Sequence, residues 1–180
     1  MTHKLIETFE ENASQLYWLA FLLTGNAERS VQAFDRALDF DEDENPAFGE
    51  FMSTWTRKLI IVEALGTMEK ELRASRQRTA RLGEEPSGNP CLGRPSYIGK
   101  AAFEEAVTAI DAFPRCAMLL TIFEGMSIQA ASVLLHEDEA LTRKAQQIGI
   151  VQLTRHLAGD SGRDPYRESG RNPVPVLSLG

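Results

Sequence analysis

Apolar residues recur at intervals of three and four along two stretches of this chain, and one Pro- and Gly-rich stretch separates them. That spacing is the strongest constraint on the fold, because it lines one face of a 3.6-residue helix, whereas a half-buried strand needs alternation with period two. Leu5, Ile6, Phe9, Ala13, Leu16, Tyr17, Ala20 and Leu23 form the first stripe. No run alternates with period two, and no Asn-Gly or Asp-Gly hairpin signal occurs. The expected fold is all-α.

The helix ends can be read from their chemistry. Thr2 is an N-cap type, and Thr24-Gly25-Asn26 closes the first helix while offering Asn26 as the cap of the next. Val31, Phe34, Ala37 and Leu38 mark the expected inner face of that second helix, which runs out in the acidic loop Asp39 to Pro46. A long third helix is expected from about Ala47 to about Arg78, with Phe51, Trp55, Leu59, Val62, Leu65, Met68 and Leu72 as its stripe. Lys70, Arg73, Arg76, Arg78 and Arg81 gather at its end, where cations favour the helix dipole and could also meet phosphates.

Between Arg81 and Lys100 the turn formers Pro86, Gly88, Pro90, Gly93, Pro95 and Gly99 leave no room for a periodic element. We therefore expect a helical unit over 1–80, a linker over 81–100 and a second helical unit over 101–158. The remainder, 159–180, has a composition that favours disorder. In the second unit a helix spans about Ala101 to Ala112, and Phe113-Pro114 breaks the chain before a helix that reaches Phe123. Ser127 caps a short helix from Ile128 to Leu135, and His136-Glu137-Asp138 turns into a last helix from Glu139 to about Leu157. Two helices joined by so short a turn suit a helix-turn-helix, whose second helix can enter a major groove.

Composition narrows the function classes. The formal net charge is −7, so any nucleic-acid contact must rely on local clusters of cations. The longest apolar stretch, Leu16 to Leu23, is far shorter than the ~20 residues that cross a bilayer, and the acidic start Met1 to Glu7 is unlike a secretory signal. A cytoplasmic protein with no membrane partner is expected. Cys91 and Cys116 read as free thiols, and His3, His136 and His156 are scattered, so no metal site, cofactor or catalytic residue is assigned. We expect no enzyme.

The segment Leu16-Tyr17-Trp18-Leu19-Ala20-Phe21-Leu22-Leu23-Thr24-Gly25-Asn26-Ala27-Glu28, followed by Val31-Gln32 and Phe34, resembles the core-polymerase-binding stretch of extracytoplasmic-function sigma factors. Trp55 and Leu59, with the Arg-rich end downstream, resemble that family's promoter-melting helix. Phe113-Pro114-Arg115, Phe123-Glu124-Gly125-Met126-Ser127 and Leu134-Leu135 resemble its Leu-Pro-x-x-x-Arg and Phe-x-Gly-x-Ser patterns. The departures are Arg29 in place of the usual Asp, Val62 and Gly66 in place of Asn and Asp, Ala130-Ala131-Ser132 in place of Glu-Ile-Ala, and His136 in place of the turn Gly.

The resemblance implies a sigma region 2-like unit, a sigma region 4-like unit and a role in transcription initiation. It implies core RNA polymerase, promoter DNA and an anti-sigma factor as partners. Arg29, Gln32, Asp35 and Arg36 would then face polymerase, while Arg73, Arg76, Arg78, Arg143, Lys144, Gln146 and Gln147 would face DNA. Glu137, Asp138 and Glu139, which open the recognition helix, would repel phosphate. The alternative is a sigma scaffold repurposed as a protein-interaction or regulatory module with little DNA readout.

Overall fold

A computed structural model describes residues 3–38, 52–83 and 98–160. Among them the regular structure is helical, with no strand: α1 (His3–Thr24), α2 (Ala27–Leu38), α3 (Met52–Thr67), α4 (Glu69–Arg81), α5 (Lys100–Thr108), α6 (Ala112–Met118), α7 (Ile128–Leu135) and α8 (Glu139–Asp160). A π-helical turn, Leu119–Phe123, continues α6. The expected acidic loop, most of the linker and the tail beyond α8 lie outside the described residues.

The α1–α2 junction forms as its residues dictate. Gly25 takes φ +65°, and the Asn26 side chain accepts the Arg29 N–H at 3.0 Å, capping α2. Thr24 Oγ1 donates to the Ala20 carbonyl at 2.8 Å and lies 3.0 Å from Ser30 Oγ, closing the turn with buried hydroxyls. The inner face of α2 matches expectation at Ala37 and at Phe34, which packs against an apolar cluster, but not at Val31. Ser30, Ala33 and Ala37 are fully buried, whereas Val31 is 49% exposed. Small side chains let α2 lie close to α1 and α3, so Ser30 and Ala33 hold the interior in place of Val31.

The expected single third helix is two. Met68, with φ −119° and ψ 21°, separates α3 from α4. The cause is local: Gly66 lowers helix propensity, and Thr67 Oγ1 donates to the Ala64 carbonyl at 2.7 Å in competition with the backbone ladder. The bend turns the stripe. Leu59, Leu65, Met68 and Leu72 are buried as expected and Trp55 is half-buried, but Val62 is 48% exposed and Ile60, Ile61 and Ala64 take the interior.

The break expected at Phe113-Pro114 lies two residues earlier. Asp111 caps α6, accepting the Ala112 N–H at 2.9 Å, and Pro114 falls in the first turn, where a missing N–H costs nothing. The Phe113 N–H finds Ser75 Oγ of α4 at 2.9 Å. Every residue of α6 is buried. Composition divides the chain at 81–100, yet helices on both sides share one hydrophobic cluster, in which Leu19, Leu23, Ile61 and Leu65 join Phe113, Met118 and Leu120. A smaller cluster of Leu16, Ala20, Ala37, Leu59 and Ile60 lies within the first three helices.

α8 crosses α6 at close range because of Gly149: a Cβ there would sit 2.6 Å from the Pro114 carbonyl oxygen. Gly149→Ala must push a backbone away and is expected to lower stability by about 1–3 kcal/mol. Gly66 has nothing within 4 Å of the same added atom, so Gly66→Ala should raise stability by about 0.5–1 kcal/mol. Urea denaturation of the two variants checks both signs.

Candidate nucleic-acid interface

The α7–α8 corner is built from two side-chain caps and one left-handed residue. Ser127 Oγ accepts the Ala130 N–H at 3.1 Å and starts α7. His136 closes it in the left-handed region at φ 51°, a conformation that a non-glycine residue adopts at a cost. Asp138 Oδ1 accepts the Leu141 N–H at 2.7 Å and starts α8. Ala131, Ser132 and Leu135 of α7 face Thr142, Ala145 and Ile148 of α8 inside the fold, all buried. Glu139, Ala140, Arg143 and Gln147 remain on the outer face of α8.

The residues expected to meet DNA are not equally free to do so. Arg143 and Gln147 are exposed. Lys144 instead donates to the Leu82 carbonyl just beyond α4, and Gln146 Nε2 donates to Thr121 Oγ1 at 2.9 Å. Arg73 is exposed and pairs with Glu69 one turn earlier, at 3.2 Å. Arg76 reaches Glu137 at 3.2 Å, with its side chain 16% exposed. Arg78 makes a two-pronged contact with Asp111, at 2.7 and 2.9 Å. α4 therefore lies along the α8 side of the molecule, but Arg73, Arg76 and Arg78 point at carboxylates of α4, the α6 cap and the α7–α8 turn.

The charge of the Arg78–Asp111 pair is well defined. Burial pushes the Asp111 carboxyl upward, but hydrogen bonds from Arg78, Ser75 and the Ala112 N–H outweigh it and hold the group below its ordinary value. The Arg78 guanidinium is raised by the Asp111 hydrogen bond and charge. Sequence reasoning missed both Asp111 and Glu137 as partners. Asp111 carried a legible signal, being an N-cap type directly before Ala112-Phe113-Pro114; Glu137 carried none, since nothing local points to Arg76.

Of the residues expected to face polymerase, Gln32, Asp35 and Arg36 are exposed along α2, and Arg29 pairs with Glu71 of α4. Trp55, expected near the melted strand, is half-buried against the smaller cluster. Two apolar depressions flank these surfaces. One of about 530 Å³ lies between α3 and α7, lined by Val62, Met126, Val133 and Leu134 with Lys58 among its residues. The other, also about 530 Å³, is lined by Trp18, Phe103, Ile98 and Lys100. Trp18 Nε1 donates to Glu104 at 2.7 Å there, and the Lys100 ammonium lies 5.7 Å from the ring centre of Trp18.

Among the described residues no cluster of His, Cys, Asp and Glu could hold a metal, and no helix is long and apolar enough to cross a membrane. Cys116 is fully buried on α6, and burial pushes its thiol up to about 12. A group with a raised folded value favours the folded state below the unfolded pKa and loses that contribution as pH rises through the folded one. In a Cys91→Ser background, Cys116 should resist iodoacetamide at pH 8 until the chain is unfolded by urea, and stability should fall above about pH 9. Mass spectrometry of alkylated protein and urea titrations across alkaline pH check the two outcomes.

No family model, curated protein or solved structure matches this chain.

Proposed function

We propose that this chain is a sigma-factor-like transcription initiation protein that binds core RNA polymerase and promoter DNA. The α7–α8 corner supports the reading. Its capped short helix, left-handed turn and capped long helix leave Arg143 and Gln147 together on an outer face, one turn apart. Arg and Gln are side chains that read guanine and adenine edges by paired hydrogen bonds. The exposed α2 residues Gln32, Asp35 and Arg36 would supply the polymerase contact. Such a protein works in the cytoplasm, where polymerase and its template are.

A second reading, a sigma scaffold acting as a protein-interaction module, is favoured by one observation. Arg76, Arg78, Lys144 and Gln146 are all engaged within the fold, while Glu137, Asp138 and Glu139 lead into α8. The two readings share polymerase binding and differ on DNA.

Retention on immobilised core polymerase, together with transcription from promoters selected from a random library, separates them. Arg143→Ala with Gln147→Ala should cut promoter-dependent transcription by about tenfold or more, the loss of one or two base contacts worth ~1–3 kcal/mol each, with polymerase retention unchanged. Gln32→Ala with Arg36→Ala should weaken retention itself. Retention without any selected promoter is the outcome that the interaction-module reading requires, and absence of retention removes both.

A further inference from the structure

Resting on the sigma-like reading above, we infer that Glu137 and Asp111 act as intramolecular stand-ins for DNA phosphates, masking Arg76 and Arg78 until duplex DNA replaces them.

The arginines and their partners come from opposite sides of the 81–100 segment. Arg76 and Arg78 lie on α4, Asp111 caps α6, and Glu137 belongs to the turn that introduces α8. Asp111 holds Arg78 through two nearly parallel N–H···O contacts, at 2.7 and 2.9 Å, which is the geometry a guanidinium also adopts on a phosphate. Glu137 holds Arg76 by one contact at 3.2 Å, and Arg76 Nε is buried with no hydrogen-bond partner. That guanidinium is therefore under-satisfied where it sits, and turning outward to a phosphate would give its Nε a partner.

Exchange is inexpensive at the outer pair. The Arg78 and Asp111 side chains are 56% and 33% exposed, and exposed ion pairs hold little net free energy because water and salt screen them. A phosphate gains more, because each cation that reaches duplex DNA also releases condensed counterions. Glu137 adds a second effect. It precedes the helix expected to approach the groove, so its negative charge both occupies Arg76 and faces any incoming backbone.

The test is binding of a fluorescent mixed-sequence duplex to the full chain across a potassium chloride series. Glu137→Gln with Asp111→Asn keeps both side-chain shapes, and Asn at 111 keeps an oxygen to cap α6. Relative to wild type, the double variant should bind about tenfold or more tightly at low salt. Its log K against log salt line should be steeper by about 2, near 0.9 for each released arginine. Glu28→Gln with Glu105→Gln, two exposed positions on α2 and α5, changes the net charge equally and should leave the slope at the wild-type value.

Adding Arg76→Gln and Arg78→Gln to the double variant should abolish the gain. If Asp111→Asn melts the fold by circular dichroism, Glu137→Gln alone should still steepen the slope by about 1. An unchanged slope, or an equal gain in the charge-matched control, overturns the masking. Polymerase retention of the wild-type chain is measured in parallel: its loss defeats the functional reading, whereas retention with no gain in DNA binding defeats the masking alone.

Discussion

One buried guanidinium joins the two halves of this molecule. Arg115, 3% exposed, donates from Nε to the Leu23 carbonyl at 3.2 Å and from Nη2 to the Thr24 carbonyl at 3.1 Å. Its Nη1 donates to the Thr108 and Ile110 carbonyls, both at 3.1 Å. These carbonyls belong to the ends of α1 and α5, where helices leave acceptors without partners. A buried carbonyl needs a donor, and arginine carries five in a fixed plane. Among the described residues no carboxylate joins these contacts; the negative ends of two helix dipoles face the charge instead. Gly25 completes the arrangement, since a Cβ at that position would stand 2.9 Å from Arg115 Nη1. The same glycine thus serves the left-handed turn and the close approach.

Around that anchor, charge is distributed sparingly. The chain carries 19 Lys and Arg against 26 Asp and Glu, and several of the cations are committed to holding helices together. Arg57 grips Glu124 through contacts of 2.5 and 2.7 Å, tying α3 to the end of the π-helical turn. Arg29 ties α2 to α4, and Lys100 and Trp18 meet over Glu104 between α1 and α5. The outer faces of α2 and α8 keep Arg36 and Arg143 exposed.

The helical class, the Thr24-Gly25-Asn26 junction, the Ser127 cap and the α7–α8 turn were legible because each depends on residues within one or two turns of chain. The split of α3 from α4 was half-written, in Gly66 and Thr67, and was outweighed by a stripe that continued past it. The inner face of α2 was misread at Val31 because periodicity favours large apolar residues, while Ser30 and Ala33 win the interior by being small. The site was harder. Whether Arg76, Arg78 or Lys144 is free depends on groups more than thirty residues away along the chain. No local pattern encodes such a partner.

The place of α6 also bears on how the chain is made. This wholly buried helix packs between helices that are synthesised before it and one that follows. Leu19, Leu23, Ile61 and Leu65 belong to the cluster that it fills, so on a growing chain they lack their cover until residues 112–120 have emerged. At ~5–20 residues per second that interval after α4 lasts about 2–8 s. The smaller cluster of Leu16, Ala20, Ala37, Leu59 and Ile60 needs nothing beyond α3. A nascent chain can hold that part together while the larger apolar face stays open to chaperones, and to other nascent chains on the same message.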